Sequence, residues 1–253
     1  MTHRFIRTEM LLGKDGLRRL QHAQVVVAGM GAVGSYAVES LARAGIGHLR
    51  LVDFDVVRTS NLNRQLYALE STLGRAKVEI AAARVRDINP GCHVEVLRLF
   101  IDDDTMDEVL KPPPDMVIDA IDSLGPKVRL LAACVGRGIP VVSSMGAATR
   151  TDPKKIHVAD ISKTDMCPLA KLVRKNLRQR GIVKGVTCVF STELPPEPDG
   201  LPDEVVCDAG ERENVVRGRV RRPLGSLSCV TGMFGLLAAH RVIMDIVKVE
   251  KAG

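Results

Sequence analysis

The first strong feature from the amino end is an apolar run at 24–28, Gln-Val-Val-Val-Ala, with no polar alternation. Such a run predicts a strand buried on both faces, as in a parallel sheet. A helix is expected over about 35–44, with Ala and Leu on one face, and Gly45 and Gly47 stop it. The alternation then repeats. Strands are predicted over 48–54, 94–100, 116–121 and 140–144, with helices over 75–88, after 102–104, and over 127–137. Strands alternating with helices imply an α/β chain with a doubly wound, Rossmann-like, mostly parallel sheet.

Past residue 150 the pattern loosens. Strands over 155–160 and 185–191 flank a basic helix near 168–180, and 194–203 is too proline-rich for either period. Residues 226–249 have helical spacing and predict a long C-terminal helix, in which Gly232 and Gly235 permit close packing or lie in a dimer interface. No repeat or clean linker interrupts the 253 residues, so one domain over 1–253 is expected. Its nucleotide-binding core would span about 20–148, with a less regular substrate-side segment and C-terminal extension over about 149–253.

The segment between the first strand and helix carries chemistry. Gly29-Met-Gly31-Ala-Val-Gly34 lets backbone approach a phosphate at the positive end of a helix. Asp53 follows Gly34 by 19 residues at the end of the second strand, where a carboxylate can take a ribose hydroxyl. To this point a dehydrogenase fits as well as any other adenine-nucleotide protein. The loop from Asp53 through Asp55, Arg58, Ser60, Asn61 and Asn63 to Arg64 and Gln65 changes that picture, as do Lys77 and the stretch Asp119-Ala-Ile-Asp122-Ser123. Redox use of a dinucleotide has no need of Arg64 and Lys77 in one crevice. Cleavage of a triphosphate does, because charge develops on the phosphate oxygens and leaving group. Asp122, with Ser123 beside it, is placed at a strand's carboxyl end to hold Mg2+ against ATP.

With these motifs the chain resembles the ubiquitin-activating-enzyme-like adenylating family, which includes the molybdopterin- and thiamin-pathway activators, over about residues 4–148. The resemblance implies a nucleotide loop at Gly31, a ribose contact at Asp53, phosphate contacts at Asn61, Arg64 and Lys77, and a metal at Asp122. It also implies a homodimer in which an N-terminal arginine, Arg4 or Arg7, reaches the partner's site. Carrier-activating branches of the family bear paired Cys-x-x-Cys motifs. None of the six cysteines here forms such a pair. Cys188-Val-Phe-Ser-Thr-Glu193, before an irregular loop and a glycine-containing last helix, is similar to the tRNA threonylcarbamoyladenosine dehydratase branch. That branch implies ATP-dependent adenylation of the threonylcarbamoyl carboxylate on tRNA, with ring closure, and association with a cysteine desulfurase system. An adenylating activator of a ubiquitin-like sulfur carrier is the alternative. Arg64 and Lys77 disfavour a dehydrogenase, while a nucleotide-regulated tRNA binder without chemistry stays open.

Charge adds to this. The net charge of +6 gathers at Lys171, Arg174, Lys175 and Arg178, on one side of the predicted basic helix, and at Arg212, Arg217, Arg219, Arg221 and Arg222. These clusters fit either a tRNA backbone or a solvated face. Cys188 is expected to be a small buried hydrophobe on a strand, and Cys167, before Pro168, is the better candidate for a reactive thiol. Aromatic residues make up 3% with no Trp, which argues against base-stacking platforms. Residues 1–7 lack an apolar signal core, and the longest apolar run, 227–239, is too short to span a bilayer. A cytoplasmic protein without stable membrane insertion is expected.

Overall fold

The structure, a computed structural model, describes residues 3–194 and 224–248. The elements run α1 (Ile6–His22), β1 (Gln24–Ala28), α2 (Gly34–Ala44), β2 (His48–Val52), α3 (Lys77–Ile88), β3 (His93–Leu97), α4 (Met106–Leu110) and β4 (Met116–Asp119). There follow α5 (Leu124–Gly136), β5 (Val141–Ser144), β6 (Ile156–Asp160), α6 (Pro168–Arg178), β7 (Thr187–Ser191) and the long last helix, here α7 (Ser228–Lys248). The strands make one seven-stranded sheet in the order β3-β2-β1-β4-β5-β7-β6, parallel except for the antiparallel β6–β7 pair.

β1 shows why its apolar run is uninterrupted. Val25 and Val27 enter one core, with α2, α3 and α7, while Val26 and Ala28 enter the other, with α4, α5 and α6. Both faces are dry, so alternation has nothing to mark. The strand order reverses between β1 and β4, and in open α/β sheets the crevice beyond the carboxyl ends at that point takes the ligand.

Every predicted strand and helix has a counterpart, with ends shifted by a few residues. The strand predicted over 116–121 ends at Asp119, so Asp122 stands on the loop before α5 rather than in the strand. Two features are not predicted by the sequence pattern. One is α1, broken at Gly13 (φ +76°), whose Leu17 and Leu20 are buried while Met10 and Leu11 are 80% and 83% exposed. That mixture leaves no continuous apolar stripe to read. The other is how far the apolar stretch of α7 reaches, against a run over 227–239 read as too short for a bilayer. The helix carries the apolar run on past His240 and Arg241 to 21 residues with mean hydropathy 1.5, long and apolar enough to cross a membrane by composition. Half of that window is packed inside the fold.

Gly232 and Gly235 make that packing possible. A Cβ on Gly235 would stand 2.2 Å from the Val33 carbonyl oxygen, and one on Gly232 would meet the Tyr36 ring at 3.2 Å. Their contacts are therefore with α2 of the same chain. The arginine cluster at 212–222 and the proline-rich loop from 195 onward lie outside the described residues, as does Cys207.

Candidate functional site

Four chain segments meet at the carboxyl ends of β1, β2 and β4. The glycine loop comes first. Gly29 has φ +96°, and a Cβ there would stand 2.7 Å from the Ala120 carbonyl oxygen, so the loop lies flat against the segment after β4. A Cβ on Gly34 would stand 1.7 Å from the Gly29 carbonyl oxygen, which sets the tight turn into α2. Gly31 differs. A Cβ there would meet only Gln65 Nε2, at 3.8 Å. The fold does not need a glycine at this position, whereas a phosphate approaching the backbone does.

Asp53, just beyond β2, ties two segments together. Its Oδ2 accepts from the Met30 amide at 2.6 Å and its Oδ1 from the Asp55 amide at 2.8 Å. A carboxylate has about four acceptor positions, so two remain for a ribose. Burial holds the Asp53 carboxyl above its usual range, against the pull of Lys77 and the two amides.

The loop between β2 and α3 supplies the cations. Lys77, at the first position of α3, is buried and its Nζ lies 2.6 Å from Asp55 Oδ2, while Arg58 reaches Asp55 Oδ1 at 3.4 Å. Asp55 thus fixes the direction of Lys77 and balances its charge. Arg64 donates to the Ser60 carbonyl at 2.6 Å and to Asn63 Oδ1 at 2.9 Å, and stays partly exposed. Asn61 is buried, and its Oδ1 accepts from the Arg58 amide at 3.2 Å. Asn63 donates to the Ser226 carbonyl, joining this loop to the start of α7.

The fourth segment follows β4. Asp122 is exposed and accepts from the Ser123 hydroxyl at 3.3 Å. No group of three or more potential metal ligands occurs among the described residues. Any divalent cation at Asp122 would have to share its ligands with phosphate and water, which is how Mg2+ is usually held.

A residue set that sequence reasoning passes over supports this loop. Asp119 and Lys127 are fully buried and paired at 2.6 Å; Lys127 also donates to the Ser144 carbonyl, and the Ser143 hydroxyl donates to Asp119 Oδ2 at 2.5 Å. Asp119 Oδ1 in turn accepts from the Ile121 amide, one residue before Asp122. The only sequence signal is a lysine eight residues after a strand-ending aspartate, on what reads as an apolar helix.

The N-terminal arginines are sorted by their contacts. Arg4 donates to the Ile88 carbonyl at the end of α3, at 2.7 Å. Arg7 is exposed and makes no ion pair or hydrogen bond among the described residues. Among the cysteines, Cys188 is buried on β7 and burial pushes its thiol far up, as the expectation of a small hydrophobe requires. Cys167 stands before the first turn of α6 and is also buried, its Sγ set to meet a Cβ on Gly146 at 3.6 Å. Glu193 accepts from the Thr151 and Asp152 amides, fixing the end of β7 to the segment after β5.

The ThiF family model matches residues 4–252. The chain belongs to the ThiF family. It is 44% identical to the tRNA threonylcarbamoyladenosine dehydratase of Bacillus subtilis, over 98% of this chain and 96% of that protein. A more distant relative is the molybdopterin-synthase adenylyltransferase of Salmonella typhimurium, 36% identical over 76% of this chain and 74% of that protein. Among solved structures, the E. coli tRNA N6-threonylcarbamoyladenosine dehydratase in complex with ATP superposes with TM-score 0.82 at 37% identity, covering 96% of this chain and 93% of that one. The same E. coli protein has also been solved in complex with AMP. The α/β fold with its long last helix agrees with that likeness.

Proposed function

We propose that this protein is an ATP-dependent tRNA threonylcarbamoyladenosine dehydratase, acting as a single adenylating unit. The observation that carries the reading is the cradle at Gly31, open to a ligand and bounded by Asp53, by the Asp55–Lys77 pair and by the segment bearing Asp122. Support comes from relatives of the same name over nearly the whole chain, and from a similar structure with ATP bound.

In this reading Gly29, Gly31 and Gly34 shape the loop that receives the nucleotide, and Asp53 takes the ribose. Asn61, Asn63, Arg64 and Lys77 surround the phosphates, Asp55 orients Lys77, and Asp122 with Ser123 would hold Mg2+. That ion, when bound, would neutralise phosphate charge. The threonylcarbamoyl carboxylate oxygen attacks the α-phosphorus, the bond to the bridging oxygen breaks, and pyrophosphate leaves. Lys77 and Arg64 stabilise charge on the departing group, as cations preorganised in a crevice do. Intramolecular attack on the activated acyl carbon then expels AMP and closes the ring, with loss of one water overall and the gain of proximity.

We assign the arginine acting across a homodimer to Arg7, because Arg4 is engaged by Ile88. The exposed Met10 and Leu11 on the same helix give that dimer an apolar contact. The five described cysteines are free thiols, in keeping with a reducing cytoplasm. A cysteine desulfurase system is proposed as an associated partner on family grounds alone.

The test incubates the protein with ATP, Mg2+ and tRNA bearing threonylcarbamoyladenosine and analyses nucleosides by mass spectrometry. A loss of one water is expected; no mass change where ATP binds would sink the proposal. Asp122→Ala and Arg64→Ala are expected to abolish AMP formation and leave tRNA affinity within about twofold. Activation of a ubiquitin-like sulfur carrier is the second reading, favoured by the adenylyltransferase likeness. Pyrophosphate exchange that required a protein ending in Gly-Gly would establish it.

A further inference from the structure

α6 has two faces of opposite character. Ala170, Val173 and Leu177 are buried in the core shared with α5, while Lys171, Lys175 and Arg178 point outward and are exposed. These positions recur at three- and four-residue spacing, so the cations stand in one row, and 1.5 Å per residue stretches it over about 10 Å. Between residues 163 and 184 the chain carries many Lys and Arg against one acidic residue, Asp165.

Two carboxylates elsewhere on the surface each gather a pair of cations. Glu39 takes both Arg43 and Arg84, and Asp107 takes both Lys111 and Arg137. Lys171, Lys175 and Arg178 have no ion-pair partner among the described residues. Like charges side by side on a helix repel, so the row slightly destabilises the free protein.

The surface is also shaped. Lys171, Arg174, Lys175, Arg178 and Gln179 line a shallow groove of about 530 Å³. Arg174 lines it and is held in place, donating to the Thr164 carbonyl at 2.7 Å and to the Thr164 hydroxyl. The residues leading into α6 lie against the segment after β5, where a Cβ on Gly146 would meet Cys167 Sγ at 3.6 Å and Leu169 Cβ at 3.8 Å.

We propose that this groove binds the ribose-phosphate backbone of the tRNA substrate, with Lys171, Lys175 and Arg178 each meeting a phosphate. The inference rests on the proposed tRNA substrate and adds where the RNA lies. A row of fixed cations without aromatic rings for bases to stack on suits a contact that positions the substrate and leaves the choice of base to the crevice. The exposed cations exchange condensed counterions for phosphates, so the contact is salt-dependent.

The experiment measures the KM for modified tRNA across a salt series, with direct tRNA binding alongside. The variants are Lys171→Gln/Lys175→Gln/Arg178→Gln and the corresponding triple change to Glu. The expected result is a KM for tRNA raised about tenfold or more at low salt. kcat and the KM for ATP should stay within about twofold of the wild type, because no group in the crevice has changed. The slope of log affinity against log salt should fall by about 3, one for each phosphate left without its cation. Removing Lys111 and Arg137, cations already neutralised by Asp107, is expected to leave that slope unchanged. The neutral triple variant keeps the test valid if charge reversal lowers the thermal midpoint. A wild-type KM and slope in both triple variants would overturn the groove, as would a fall in kcat alone or an effect confined to a protein partner. If the wild type itself makes no dehydrated nucleoside, the proposed activity fails. The groove is then judged by the tRNA dissociation constant, where an unchanged value in the variants overturns it.

Discussion

At the scale of single residues, the glycine loop separates two jobs that one motif conceals. Gly34 is needed by the fold, because any side chain there would strike the Gly29 carbonyl. Gly31 has room for a side chain, so the fold itself does not require a glycine there. Gly34→Ala is therefore expected to lower stability by about 3 kcal/mol, the upper end for an overpacked site, read as a lowered denaturation midpoint. Gly31→Val is expected to keep the midpoint within about 2 °C, since strain-free surface changes stay near ±0.5 kcal/mol. It should weaken ATP binding at least about tenfold by calorimetry. Retention of ATP affinity in Gly31→Val would show that the nucleotide does not use this loop. Asp53 teaches a related point. Its place in sequence suggests a ribose contact, yet its Oδ2 fastens the end of β2 to the glycine loop at Met30, a role that spacing does not carry.

Between elements, the buried Asp119–Lys127 pair joins β4, α5 and β5 under the segment that carries Asp122. By sequence Asp119 lies within the strand predicted over 116–121, and Lys127 opens the helix predicted over 127–137. Neither residue announces burial, because charge ordinarily marks the surface and only the partner across the fold reverses that. Lys127→Met removes the counter-ion and leaves a carboxylate in the dry core, at a cost of about 3–5 kcal/mol. Asp119→Asn/Lys127→Met removes both charges and is expected to recover more than half of that loss. Chemical denaturation of the two variants checks it, and equal destabilisation in both would mean that the pair's charge is not what matters.

At the scale of the whole molecule, α7 decides how the first core closes. Its apolar length alone would suit a bilayer, but Val230, Phe234, Ala238, Ala239 and Val242 are buried in the core with α2, whose backbone approaches at Gly235. The protein is expected to stay in the supernatant with neutral phosphatidylcholine vesicles, since withdrawing α7 would expose that core. Co-sedimentation with neutral vesicles, insensitive to salt, would contradict this packing. The basic face of α6 lies on the other side of the sheet, so one layer supports the fold and the other presents charge.

How much is legible in the sequence follows from which forces act locally. Period, glycine spacing and the order of Asp53, Arg64, Lys77 and Asp122 are properties of the chain, and they determined the α/β class, the positions of most elements and the nucleotide chemistry expected of them. α1 is hidden because a kink and exposed Met10 and Leu11 break its apolar stripe. Interactions across the fold decided the rest: the Asp55–Lys77 pair, the engagement of Arg4 by Ile88, the Asp119–Lys127 core pair and the unneutralised row on α6. Each depends on residues far apart in sequence or on which neighbours stand near in space. Local pattern records neither, and only tertiary structure could supply it.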